Sequence, residues 1–341
     1  MGKNTLRILS RILIVAPSWI GDTILAQPLL TRLKQKHPDL AIDVLAPAWC
    51  SPLLARMSEV RRVLDNPFAH GEFNLAGRWR LGRELCAEVY DAAIVLPNSW
   101  KSALLPFFAG IPRRIGYTGE ARYGLLNCRH SLNPEAMPQL AQRYAQLAEP
   151  PDRSASNDLP LPHLNSSASQ QSEVRETLGL PLDAQPAVFC PGAEYGPAKR
   201  WPARHFAELA QRLAQPGLPV WLVGSNKDAT LGDEIAQLAQ GAALNLCGRT
   251  SLGQAIDLLA GARLVVSNDS GLMHVAAALK RPLLALYGSS SPIYTPPLSP
   301  HAKIVSLNVD CSPCFKRVCP LGHFNCMENM TAESVLQRIA N

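Results

Sequence analysis

Three segments of this 341-residue chain carry residue types suited to chemistry at a phosphate. In Leu264-Val-Val-Ser-Asn-Asp-Ser-Gly-Leu-Met-His-Val-Ala-Ala-Ala-Leu279, an apolar strand runs through Asn268, Asp269, Ser270 and Gly271 into a helix with small residues along one face. The first N–H groups of a helix have no intrahelical partner and the helix dipole is positive there, so such a turn suits an anion. Asp269 stands at the strand's carboxyl end, where open α/β sheets bind ligands. His274 lies one turn beyond Ser270 and faces the same way. A second segment, Pro191-Gly-Ala-Glu-Tyr-Gly-Pro-Ala-Lys-Arg-Trp-Pro202, pairs turn residues with Lys199 and Arg200. A Lys there supplies a compact charge to a diphosphate leaving group, or simply forms a basic surface loop. The third, Ser18-Trp-Ile-Gly-Asp-Thr23, puts Asp22 at a helix start, either as a base toward a substrate hydroxyl or as the cap of that helix. Asp228, in Gly224-Ser-Asn-Lys-Asp228, is a candidate for a ribose hydroxyl, and Thr250, in Arg249-Thr-Ser251, for lining a base.

Two α/β repeats position these segments. The first reads as strands at 11–17, 41–47, 60–64, 92–97 and 113–117, with helices at 22–37, 100–109 and 139–148. Pro28 is expected to kink the first helix. Residues 151–181, with Pro150-Pro151, Ser154-Ala-Ser-Asn157 and Ser166-Ser-Ala-Ser169, read as a linker with a short helix at 173–178. The second repeat reads as strands at 187–190, 220–224, 244–247, 264–266 and 283–288, with helices at 203–214, 230–240 and 252–262. Alternating strands and helices predict parallel sheets covered on both faces. The expectation is two Rossmann-like domains, 1–150 and 182–326, with a ligand cleft between them. A final helix within 327–341 is expected to pack back on the first domain.

Composition narrows the class. Apolar residues make up 47% of the chain, which excludes a disordered protein. No apolar run is long enough to span a bilayer and no secretory pattern opens the sequence, so a cytoplasmic protein is expected. Residues 1–150 carry 18 Lys+Arg against 12 Asp+Glu, the whole net charge of +6, while residues 151–341 carry 15 of each. The first half is therefore the expected partner of something anionic, and Arg61-Arg62, Arg78-Trp-Arg80 and Arg113-Arg114 stand out, although each doublet taken alone reads first as a solvated surface. Of nine Cys, Cys311, Cys314, Cys319 and Cys326 cluster late in the chain. The C-x2-C start is compatible with zinc or an iron–sulfur cluster, but the later spacings match no zinc signature, and a structural or free-thiol role is the alternative. No G-x-G-x-x-G follows either first strand, and there is no Walker A, G-x-S-x-G or H-E-x-x-H, which argues against dinucleotide dehydrogenases, P-loop NTPases, α/β-hydrolases and zincins.

Taken in order, Gly21-Asp-Thr23, Asn98-Ser-Trp-Lys-Ser-Ala103, Pro191-Gly-Ala-Glu194 with Lys199-Arg-Trp-Pro202, Ser267-Asn-Asp-Ser-Gly-Leu-Met-His274 and Leu286-Tyr-Gly-Ser-Ser-Ser-Pro292 resemble the ADP-heptose:lipopolysaccharide heptosyltransferases of glycosyltransferase family 9. The resemblance covers residues 11–340, and the Cys311–Cys326 tail is most like that of the type II members. It implies a GT-B fold, with ADP-heptose on the C-terminal domain and an anionic lipid A–Kdo–heptose acceptor on the N-terminal one. Asp22 would be the base of an inverting transfer. Lys199, Glu194, Asp228, Thr250, Asp269, Ser270, Gly271, Met273 and His274 would bind the donor, with Asp269 on sugar hydroxyls and the backbone from Ser270 on the phosphate. Lys101, Arg113 and Arg114 would meet the acceptor. The resemblance further implies no required cofactor or metal, no nucleic acid, a monomer, and contact with the cytoplasmic face of the inner membrane. Two departures stand out: the family often has Glu at the position of Asp228, and its phosphate-loop Thr residues are replaced here by Gly192-Ala193-Glu194. The alternatives are a family member acting on Kdo or a later core sugar, a sugar-nucleotide epimerase, and a two-domain binding protein.

Overall fold

The computed structural model describes residues 9–69, 71–153, 158–214 and 218–340. The expected linker stretch Ser154–Asn157 lies outside them. The chain divides into two compact units between Pro160 and Leu161.

The first unit contains β1 (Arg11–Val15), α1 (Ile20–Leu25), α2 (Gln27–Lys36), β2 (Ala41–Ala46), α3 (Ser51–Leu54), β3 (Val60–Asp65), α4 (Leu75–Leu85), β4 (Ala92–Val95), α5 (Leu104–Phe108), β5 (Arg113–Tyr117), β6 (Cys128–His130) and α6 (Leu140–Gln146). Its strands form one parallel sheet ordered β3-β2-β1-β4-β5-β6. The central strands are buried along nearly their full length, as expected when helices cover both faces. Leu13, Val15, Leu45, Ala93, Val95 and Leu105 build the core. The helix expected at 22–37 is two helices. Pro28 has no N–H and its ring opposes the carbonyl four residues earlier, so α1 stops at Leu25 and Pro28 falls in the first turn of α2. The helix expected at 100–109 is a 3-10 turn, Trp100–Ala103, followed by the short α5.

The second unit contains α7 (Ala168–Leu178), β7 (Ala187–Cys190), α8 (Ala203–Leu213), β8 (Val220–Leu222), α9 (Ala229–Leu238), β9 (Ala243–Asn245), α10 (Leu252–Ala260), β10 (Leu264–Asn268), α11 (Gly271–Ala278), β11 (Leu283–Leu286), β12 (Ala302–Val305), α12 (Asn325–Glu328) and α13 (Ala332–Ala340). The sheet is again parallel, ordered β12-β11-β10-β7-β8-β9. Counted from its own first strand, this is the same winding as in the first unit. In both sheets the order reverses beside the first strand, at β1/β4 and at β7/β10, and doubly wound sheets bind ligands there, beyond the carboxyl ends of the strands.

The linker expectation changes. Much of 161–181 is structured: Ser167 caps α7 through a capping box with Gln170, Gly179 ends it in the left-handed region, and Val174 and Arg175 are buried. The final helix packs against α8, β11 and β12, with Val335 in the core of the second unit.

Candidate functional site

The site is clearest at the β7/β10 reversal. Lys199 Nζ lies 2.5 Å from Asp269 Oδ2, with both side chains largely buried. Lys199 follows β7 and Asp269 follows β10, so strands far apart in sequence and adjacent in space deliver the pair. The loop after β7 is anchored from beneath. Trp201, two residues past Lys199, is wholly buried, and its indole N–H donates to the Met330 carbonyl at 2.6 Å. Asn268, equally buried, accepts the Trp201 backbone N–H at 3.1 Å and donates to the Pro191 carbonyl at 2.7 Å, tying both loops together. Tyr195 lies beneath the cation, its ring centroid 5.1 Å from Lys199 Nζ.

His274 is buried in α11. Burial pushes its imidazole pKa down to about 4; nearby Asp269 opposes the shift and Lys199 adds to it. It is therefore neutral at pH 7. Ser270 is the N-cap of α11 but makes no side-chain cap bond; Gly271 opens the helix, and both remain partly accessible. Met273 is completely buried and offers no surface to a ligand.

The remaining donor candidates reach the same sheet edge with different engagements. Asp228 Oδ2 accepts from the Ser225 N–H at 2.9 Å and from its hydroxyl at 2.7 Å, capping the turn after β8. A Cβ on Gly192 would stand 2.5 Å from that carboxylate, so glycine lets the β7 loop pass close by. Glu194 pairs with exposed Lys227 at 2.5 Å. The Thr250 hydroxyl is buried and makes no hydrogen bond to the described residues, and the same holds for Ser289 and Ser290 beyond β11. Both serines fall in the Leu286–Pro292 motif, whose order in the chain is the one signal that points to them.

The late cysteines lie beside this edge. Cys311, Cys314, Cys319 and Cys326 line one cavity of about 20 Å³ with Ser289 and Ala198. Backbone N–H groups, that of Phe324 foremost, hold the Cys319 thiol below the usual range. Among the described residues no group of three His, Cys, Asp or Glu side chains stands at metal-holding spacing. What the segment visibly does is buttress the Lys199 loop: Ala198 N–H donates to the Arg317 carbonyl at 3.0 Å, Tyr195 Oη to the Phe315 carbonyl at 2.8 Å, and Phe315 N–H to Ser289 at 2.7 Å.

In the first unit, Asp22 is the third residue of α1 and Trp19 is the N-cap, so Asp22 is not the cap. It stands at the carboxyl edge of β1, beside the β1/β4 reversal. Lys101 follows β4 on the same edge. Arg113 and Arg114 open β5 and lie at the opposite, amino edge, roughly 13 Å away along the strand. Arg114 is engaged there with the Ile111 and Leu125 carbonyls at 2.7 and 2.6 Å. Arg61 and Arg62 pair with buried Asp43, at 2.5 and 3.2 Å. A cavity of about 280 Å³ lined by Arg32, Lys36, Glu149 and Arg153 is also at the amino edge, and ion pairs of Glu149 with Lys36 and Arg153 cross its wall.

The sequence profile of Glycosyltransferase family 9 (heptosyltransferase) matches residues 78–325. The chain is 45% identical to Lipopolysaccharide heptosyltransferase 2 of Salmonella typhimurium over 338 residues, 96% of this chain and 97% of that protein. It is 49% identical to Lipooligosaccharide heptosyltransferase 2 of Haemophilus influenzae over 307 residues, 87% and 88% of the two chains. The solved ADP-heptose LPS heptosyltransferase II of E. coli superposes with a TM-score of 0.87 at 43% identity, covering 97% of each chain.

Proposed function

The chain belongs to glycosyltransferase family 9, the heptosyltransferases, and from that premise we propose that it moves a heptose from ADP-heptose onto the heptose already carried by the lipid A–Kdo inner core. The observation that carries the donor half is the Lys199–Asp269 pair at the β7/β10 reversal. A lone buried lysine would be costly, and a lone carboxylate would repel a diphosphate. Paired, they are balanced until a donor arrives. Lys199 then turns toward the diphosphate, the N–H groups opening α11 take phosphate oxygens, and Asp269 takes sugar hydroxyls. Neutral His274 adds no second charge beside the pair.

The transfer is a single displacement with inversion. The acceptor hydroxyl oxygen attacks the anomeric carbon, the bond from that carbon to the ADP oxygen breaks, and Asp22 receives the hydroxyl proton. Negative charge grows on the leaving diphosphate, where Lys199 and the α11 N-terminus stabilise it. Lys199 supplies charge where a divalent cation would otherwise be needed, so the reaction requires no added metal. Among the described residues no helix is long and apolar enough to cross a membrane; contact with the lipid-bound acceptor is peripheral.

The test is direct. The purified chain, ADP-heptose and monoheptosylated Kdo–lipid A should give a product heavier by one heptose, with or without EDTA. Asp22→Asn should lower kcat by at least about 100-fold with little change in donor KM. Product from an acceptor without heptose, and none from the heptosylated one, would reassign the acceptor. Unchanged turnover in Asp22→Asn would remove the base assignment.

A further inference from the structure

Four aromatic side chains stand exposed on the loops at the carboxyl edge of the first sheet. Trp19 follows β1, Trp49 follows β2, Phe73 follows β3 and Trp100 follows β4, and they are 49%, 55%, 45% and 42% exposed. Large apolar side chains at solvent are costly, and four on one edge mark a binding surface. They are held in pairs. Trp49 Nε1–H donates to the Ser18 carbonyl at 3.0 Å, fixing the β2 loop to the β1 loop next to Trp19. The Phe73 and Trp100 rings lie 5.1 Å apart, joining the β3 loop to the β4 loop. β1 and β4 are adjacent strands, so both pairs flank the reversal where Asp22 stands.

The loops are built to stay there. Arg78 is buried and donates to the carbonyls of Phe73 at 2.6 Å, Glu72 at 2.9 Å and Lys101 at 3.5 Å. Arg122, wholly buried, donates to Pro97 at 2.7 Å and to Tyr117, binding the end of β4 to the end of β5. The Trp100 N–H is held by Glu120 at 3.0 Å. Buried guanidiniums spent on loop carbonyls preorganise the rim before any ligand arrives.

We propose that this rim is the platform on which the sugar rings of the acceptor lie, with Trp49 and Trp100 stacking on their C–H faces while Lys101 meets an anionic substituent. The inference rests on the acceptor being taken by the first unit. An aromatic face is electron-rich and accepts the polarised C–H face of a pyranose, whereas its hydroxyls need the polar groups interleaved here. Asp22, Glu72 and Glu120 share the rim with the aromatics. Sinking the rim into hydrocarbon would bury those carboxylates, so a carbohydrate is the occupant that fits rather than the acyl region of a membrane.

The experiment uses the full chain with a delipidated, water-soluble heptosylated core oligosaccharide. Trp49→Ala and Trp100→Ala should each raise the KM for that acceptor about 10-fold or more, leaving the KM for ADP-heptose within about twofold. Trp100→Phe should restore most of the affinity. Trp79→Ala, exposed on α4 but outside the rim, should behave as wild type. An unchanged acceptor KM in both alanine variants overturns the proposal. A loss seen only with lipid-borne acceptor in vesicles, and not with the delipidated core, also overturns it and assigns the rim to the membrane. If the wild-type chain transfers no heptose to any core acceptor, the functional reading fails first; if it transfers normally and the variants match it, the platform alone fails.

Discussion

At the residue scale, the site combines a largely buried ion pair with a buried imidazole. Lys199 and Asp269 neutralise one another, and His274 beside them is neutral because an imidazolium cannot be solvated there. This has a consequence for stability. The folded-state pKa of about 4 lies below the ordinary 6.5, so the unfolded chain binds the proton more readily. The stability that neutral His274 allows is fully present above pH 6.5 and is lost as pH falls toward 4. At pH 5 the loss is about 2 kcal/mol. Denaturant melts of wild type and His274→Gln at pH 7 and pH 5 should show a smaller pH-dependent loss in the variant by about that amount; equal losses would mean the histidine is solvated. The residues that carry charge were legible from their types. Their pairing was not, since Lys199 and Asp269 are 70 positions apart.

At the element scale, the same strand order appears in both sheets, and each places its candidate residues by ending strands at a reversal. Parallel strands explain why Asp22 and Lys101 share an edge while Arg113 and Arg114 do not: the first two follow strands and the last two open one. A reading of charge doublets has no access to that direction. Asn268 is the joint between the loops after β7 and β10. Asn268→Ala would leave the Trp201 N–H and the Pro191 carbonyl buried without partners, at about 2 to 4 kcal/mol. The expected result is a lower urea midpoint together with at least about a 10-fold higher KM for ADP-heptose, while acceptor KM holds. Loss of stability without a donor effect would show that Lys199 is placed by other contacts. Capping boxes were legible in principle: Ser167 with Gln170 announces α7, although the surrounding polar residues read as linker.

At the scale of the whole molecule, the excess of positive charge lies in residues 1–150, the half assigned to an anionic acceptor. Exposed charges are screened over about 8 Å at physiological salt. Raising NaCl from 50 to 500 mM should therefore raise the acceptor KM several-fold and the donor KM less, because Lys199 is sheltered; equal sensitivity of the two constants would count against the charge assignment. The sequence alone determined the α/β alternation, the two repeats and the order of motifs that marks the family, because period, turn chemistry and motif order are local properties of the chain. Tertiary structure decided what is not local. It paired Lys199 with Asp269, held His274 and Met273 away from solvent, spent Arg61, Arg62 and Arg114 on internal partners, and set four aromatics on the sheet edge where Asp22 stands. Burial and pairing across a parallel sheet depend on which strands become neighbours, and hydrophobic periodicity does not encode that order.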